Sequence, residues 1–171
     1  MDSTYSTPRL TLQKLTENDH TFISELVNTP EWLKFIGNGN PKTYDQVTEY
    51  IQKIVDNPNC TFWVVRLIDG VTPIGVITFM KRTYLEHFDI GFAFLPGYVK
   101  QGFAYEATAA VLRKISSDTI HTHILATTIP ENINSIRLLE KIGLGFDKEI
   151  ERDSEKLLLY SAEIAKISKC I

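Results

Sequence analysis

Cysteine is scarce. Cys60 and Cys170 are the only two in the chain, far apart, so no disulfide framework can hold this fold, and both read as free thiols in a reducing compartment. No apolar run approaches the roughly 20 residues that a membrane span requires, which leaves no membrane partner to expect. The first residues are polar rather than a leader peptide, and the cytoplasm is the expected location. Positive charge is not in excess either: 18 Lys and Arg stand against 21 Asp and Glu, for a net charge of −3. Without a basic stripe a nucleic-acid partner is not expected; a mildly acidic protein suits a cationic amine better. Internal repeats, low-complexity tracts and linker-like stretches are missing too, so residues 1–171 read as a single domain. What is present is a hydrophobic fraction of 43%, enough for a globular core in a chain of this length.

Periodicity divides the chain into elements. Residues 7–15 alternate as a first strand. Thr16, Glu17, Asn18 and Asp19 offer caps to a helix that buries Phe22, Ile23, Leu26 and Val27. A second helix follows Thr43 and presents Val47, Tyr50, Ile51 and Ile54. Between them, residues 29–41 combine Pro30, Gly37, Gly39 and Pro41 with large aromatics and read as a loop. Residues 61–68 and 74–82 form a strand pair joined across Asp69-Gly70. Phe88, Ile90, Phe92 and Phe94 alternate along a fourth strand, which stops at Pro96-Gly97. Residues 103–116 form a helix with Ala104, Ala107, Val111 and Ile115 on one face. A fifth strand at 121–128 then lies parallel to the fourth by a right-handed crossover. A helix at 132–142 and a hairpin of 146–152 with 156–164 complete the order β-α-α-β-β-β-α-β-α-β-β. This is an α/β (mixed α+β) fold: a mixed sheet of about seven strands flanked by about four helices.

The junction after the fourth strand carries the sharpest chemical signal. A short loop leads into Gly102-Phe103-Ala104-Tyr105-Glu106-Ala107, which points free backbone N–H groups and the positive end of a helix at one spot suited to phosphate. The loop is too short for the Gly-x4-Gly-Lys-Ser/Thr phosphate loop. It is not a Gly-x-Gly-x-x-Gly fingerprint, because Lys100 stands two before Gly102.

It resembles instead the pyrophosphate loop of the GNAT acyl-CoA N-acyltransferases, Arg/Gln-x-x-Gly-x-Gly/Ala, with Val99, Gly102 and Ala104 at the defined positions. A second block, Asn132-Ile133-Asn134-Ser135-Ile136-Arg137-Leu138-Leu139-Glu140-Lys141-Ile142-Gly143, resembles the Asn-x-x-Ser-x-x-x-x-Glu-Lys-x-Gly helix of the ribosomal-protein N-alpha-acetyltransferase branch. Thr7-Pro8-Arg9-Leu10-Thr11-Leu12 is similar to that branch's opening strand. The order and spacing of all three blocks agree with the family, and the predicted element order is the GNAT order. Two positions depart from it. Val99 replaces the usual Arg or Gln, although backbone amides make the cradle and any residue but proline supplies them. Leu139 stands where many members place a tyrosine that protonates the departing thiolate; the ribosomal-protein branch commonly lacks it as well.

The resemblance implies acetyl-CoA as co-substrate, no metal, and direct attack of a primary amine, from a protein N-terminus or a small molecule, on the thioester. Pantetheine is expected in a cleft between the two parallel strands, along Phe92, Phe94 and Leu95. The diphosphate is expected on the amides of Val99, Lys100, Gln101, Gly102, Phe103, Ala104 and Tyr105. Gly91 either lets a ligand approach the strand or marks a bulge. Asp89 is the leading base, with Glu86 and Glu149 as substitutes; its other reading is a solvated residue or the partner of a nearby cation. Ser135 is a weak acid for the sulfur or a residue capping the helix, and Asn132 is a pantetheine contact or an N-cap. Trp32, Phe35 and Ile36 line the acceptor pocket by resemblance, or anchor a loop. His121 and His123 point the same way but lack a third ligand, so no metal site is expected. Two other functions are open. A non-catalytic acyl-CoA sensor is the alternative if Leu139 and Val99 mark lost catalysis; a nucleotide or phosphate binder leaves the 132–143 block unexplained. Monomer and homodimer are both open.

Overall fold

The computed structural model describes residues 4–118, 120–167 and 171; Cys170 lies outside the described residues. The strands are β1 (Tyr5–Ser6), β2 (Leu10–Lys14), β3 (Cys60–Leu67), β4 (Pro73–Met80), β5 (Asp89–Phe94), β6 (His123–Thr128), β7 (Gly145–Arg152) and β8 (Glu155–Glu163). The helices are α1 (His20–Val27), α2 (Pro30–Phe35), α3 (Tyr44–Val55), α4 (Phe103–Ser117), α5 (Ile133–Lys141) and α6 (Ile164–Ile167). All eight strands join one sheet in the order β1-β2-β3-β4-β5-β6-β8-β7. Every pairing is antiparallel except β5 with β6.

Alternation on β3 shows how the sheet is covered on both sides. Phe62 and Val64 pack beneath α1–α3 with Phe22, Ile23, Leu26, Val47 and Ile51. Trp63 and Val65 join the other layer with Ile90, Val111, Leu112, Leu139 and Tyr160. The α4 helix lies on that second face and touches β4, β5, α5 and α6.

Three expectations need correction, which makes the count eight strands and six helices among the described residues. The strand expected at 7–15 is shorter, Leu10–Lys14, and a further strand, Tyr5–Ser6, precedes it. Thr7 N donates to Leu10 O at 2.9 Å, and Pro8 inside that turn supplies no N–H, so β1 folds back on β2 with Tyr5 opposite Leu12. Part of the expected loop at 29–41 is helix: Thr29 caps α2 by accepting from Trp32 N, and Pro30 occupies its first turn, where a missing N–H costs nothing. The last strand ends one residue early because Ile164 and Ile167, both buried, turn inward three apart on a short helix.

Candidate active site

The β5–α4 junction leaves a row of donors open. Leu95 leads into a 3-10 turn at Pro96–Tyr98. Lys100 (φ 60°) and Gly102 (φ 82°) then take left-handed backbone, the conformation glycine adopts without a Cβ penalty. Gly102 is the N-cap of α4, and the first bond of the helix runs from Glu106 N to Gly102 O at 3.0 Å. From Val99 to Tyr105, no backbone N–H donates to an acceptor among the described residues. Unpaired amides in the first turn of a helix, with the dipole behind them, form an anion cradle.

Arg9 and Glu106 lock this loop to β2. Glu106 Oε2 accepts from Arg9 Nε at 2.6 Å, and its Oε1 accepts from Thr7 Oγ1 at 2.5 Å and Arg9 N at 3.1 Å. The same guanidinium donates to Gln101 O at 3.0 Å and lies 4.5 Å above the Phe103 ring. Burial of the Glu106 carboxyl opposes ionisation, but the bonds from Thr7 and Arg9 outweigh it and hold its pKa below the usual glutamate value. Thr7 and Arg9 belong to the opening motif, yet the sequence alone assigns them no role. A glutamate in the first turn of α4 was the available signal.

Beside the loop, the sheet opens. The β5 and β6 strands share one register pair, Asp89 with Leu125, and Leu125 N donates to Phe88 O at 3.0 Å. Beyond that rung β5 stays paired with β4 through Gly75 opposite Phe94, while its β6-facing edge has no strand partner. Phe92 and Phe94 are half-buried and Leu95 is buried. No bulge causes the divergence, since the β4–β5 register is unbroken. Gly91 has a different reason: a Cβ there would stand 2.6 Å from Thr78 Oγ1 on β4.

Asp89, the first residue of β5, lies at the root of the opening and is 3% exposed. Its Oδ2 accepts from Arg82 Nε at 2.7 Å, while Oδ1 is buried without a hydrogen-bond partner. Burial raises its pKa above the usual aspartate value, against the opposing pull of Arg82. Cys60 and Tyr50 face the same region; burial pushes the thiol up to about 11 and the phenol well above its ordinary value. Glu86 is exposed in the loop before β5. Glu149 pairs with Lys156 at 2.7 Å on the outermost strand, which β6 and β8 separate from β5.

At the far side of the opening, Asn132 Oδ1 accepts from Ser135 N at 3.2 Å and caps α5. The half-buried Ser135 therefore is not the cap. Leu139 is 1% exposed, inside the core; a hydrocarbon side chain has no proton to give. Trp32 is buried, edge-on to Tyr50 with ring centroids 6.4 Å apart. Phe35 is half-buried beneath Lys34, and Ile36 is exposed. His121 packs against Phe79 and Phe88, and His123 stacks on His87.

Residues 9–145 match the family described as Acetyltransferase (GNAT) domain. The chain belongs to that family. Like other GNAT proteins it is an acyl-CoA-dependent acyltransferase, with a mixed sheet and flanking helices. Over 147 residues it is 31% identical to the Bacillus subtilis protein named uncharacterized N-acetyltransferase YnaD, a match spanning 84% of this chain and 85% of that one. A Bacillus anthracis GNAT acetyltransferase structure superposes with a TM-score of 0.81 at 25% identity, over 95% of this chain and 99% of that one. A Vibrio cholerae spermidine N-acetyltransferase, solved with CoA and spermine, gives 0.78 at 18% identity over 94% and 99%. At that identity the likeness is one of fold. No helix among the described residues of this GNAT domain is long and apolar enough to cross a membrane.

Proposed function

We propose that the protein moves an acetyl group from acetyl-CoA to a primary amine by direct attack, and that it lies in the ribosomal-protein N-alpha-acetyltransferase-like branch of its family. One observation carries the reading: the amides of residues 99–105 that lack an acceptor follow in the chain directly on the strand, β5, whose edge β6 leaves unpaired. The amide row suits the charge of a diphosphate. Leu95 N donates to Ile74 O on β4, so along this antiparallel pair the N–H and C=O groups of Phe92 and Phe94 are the ones that point to the open edge, where they suit the amides of a pantetheine arm. Acetyl-CoA supplies there an acyl thioester reactive toward amines.

The side chains divide the remaining work. Asp89 Oδ1 takes the proton of the amine, directly or through a water. It does so above its raised pKa, so turnover falls as pH drops through that value. An N-terminal amine near pKa ~8 needs little of this help and a lysine-type amine near ~10 needs more. The Ser135 hydroxyl donates toward the departing sulfur, a weak acid sufficient for a thiol of pKa about 8.5. Asn132 orients that end of α5. Trp32, Phe35 and Ile36 border the acceptor. Cys60, held as a thiol at neutral pH, is a poor nucleophile, which favours direct transfer over a covalent acyl-enzyme. Positioning then provides most of the rate.

CoA-thiol release measured with a peptide bearing an N-terminal alanine, with spermidine and with an aminoglycoside tests the proposal. Turnover on one class names the acceptor. Leu139 in place of the tyrosine favours one second reading, a non-catalytic acyl-CoA sensor. Tight CoA binding with no turnover on any amine would establish it.

A further inference from the structure

The carboxylate of Asp89 is held asymmetrically. A turn in the β4–β5 loop, closed by Leu85 N on Arg82 O at 3.2 Å, directs the Arg82 guanidinium back onto the start of β5. It meets one carboxylate oxygen, Nε to Oδ2 at 2.7 Å. The other, Oδ1, has no partner and no solvent contact, in a residue 3% exposed. Bare buried oxygens are uncommon, because burial without a partner forfeits the bonds that water gave. This one lies at the root of the cleft, where β5 leaves β6.

We infer that Arg82 is a positioning residue of the transfer reaction: its guanidinium pins Oδ2, leaves Oδ1 facing the incoming amine, and keeps the carboxylate charged in a dry site. This rests on Asp89 as the base. Lysine does not replace the geometry, because a point-like ammonium lacks the planar fork that fixes one oxygen and spares the other. Cys60 on β3 and Tyr50 on α3 face the same spot, and burial holds both neutral. Tyr84, in the same loop, acts on Arg82 electrostatically and lies under the Arg152 guanidinium at 4.1 Å. Arg82 is thus the charge that opposes desolvation of the carboxylate.

The sign follows. Without Arg82, desolvation acts unopposed and Asp89 protonates at higher pH. An opposite charge at this range lowers a carboxyl pKa by about one to three pH units, so R82Q raises the Asp89 midpoint by that amount. Carboxyl 13C titration of Asp89 in the wild type, R82Q and R82K reads this without any acceptor. R82K is expected to keep the midpoint near the wild-type value while lowering kcat/KM roughly tenfold on an amine that the wild type turns over. A folded R82Q, shown by unchanged CoA affinity, with an unmoved Asp89 midpoint overturns the inference. Should R82Q fail to fold, R82K decides alone: wild-type midpoint with wild-type kcat/KM means pinning is not needed. Full turnover by D89N would remove Asp89 as the base yet leave its titration responsive to Arg82, so the two failures are distinguishable.

Discussion

Replacing Gly102 by alanine perturbs the site at the place where backbone shape alone is at stake. The residue sits at φ 82° as the N-cap of α4, and an L-residue held there costs about 1–2 kcal/mol. The added Cβ would stand 3.2 Å from Arg9 Nη2, the same guanidinium that holds Gln101 O. Either the loop turns or Arg9 gives way. For a domain of this size 1 kcal/mol is worth about 2–4 °C, so G102A is expected to melt about 2–8 °C lower. If one amide is turned off the diphosphate, a charge-assisted bond of about 1.5–3 kcal/mol goes with it, and CoA affinity falls roughly 10- to 100-fold. Gly97 lies five residues upstream in the same loop, with nothing within 4 Å of its missing Cβ and no positive φ. G97A is therefore the internal control. Differential scanning calorimetry and titration calorimetry with CoA would be run on both. If G102A and G97A bind CoA alike, the left-handed cap does not shape the cradle and the reasoning is refuted.

Three further outcomes are expected. E106A strips the acceptor from Thr7 Oγ1, Arg9 N and Arg9 Nε and lowers urea-melt stability by about 1–2 kcal/mol at pH 7, discounted because Arg9 is half exposed. Since the folded pKa of Glu106 is depressed, its contribution is complete above the unfolded value near ~4.3 and fades as pH falls through the folded one; a gap to E106Q that widens in acid contradicts this. N132A removes the α5 cap and costs about 1 kcal/mol, whereas S135A leaves melting within about 0.5 kcal/mol and reduces kcat about tenfold at unchanged CoA affinity. Full kcat in S135A excludes its hydroxyl as the acid. With its pKa near 11, Cys60 has roughly one thiolate per thousand molecules at pH 8, so in a C170S background iodoacetamide labels it slowly and C60S keeps its turnover. Rapid labelling would show that the thiol is not held protonated.

The β5–loop–α4 junction is legible because three local signals agree. The alternation of Phe88 to Phe94, the Pro96-Gly97 stop and the glycine ahead of an alanine-rich helix all act over a few residues. The ends of α5 are legible for the same reason, with Asn132 at one and Gly143 at the other. Helix α2 is not, although Thr29-Pro30 is a cap followed by a proline at the first position. Six residues complete fewer than two turns, too few to show a period, and Gly37, Gly39 and Pro41 downstream dominate the impression. Helix α6 hides likewise, because Ile164 and Ile167 are too close to the chain end to separate a helix from a continuing strand. The Arg82–Asp89 pair has no signature at all: it exists only once a loop closes and burial makes the charges matter to each other. Trp32 is legible as a large aromatic near the site. That it is buried against Tyr50 while Ile36 faces solvent depends on how α2 lies on α3, which no spacing encodes.

The lone rung between β5 and β6 makes this molecule two half-sheets on a common spine. A hydrophobic cluster crosses the seam, with Ile90 of β5 and Val111 of α4 on one side and Ile124 and Ala126 of β6 on the other, but backbone bonding between the two strands is confined to that rung. A guest lying along residues 90–94 acts as the missing stitches, so the cohesion of β6, β8 and β7 with the rest becomes a function of ligand concentration. Amide exchange across those strands should slow when CoA is added, including at positions the coenzyme never reaches.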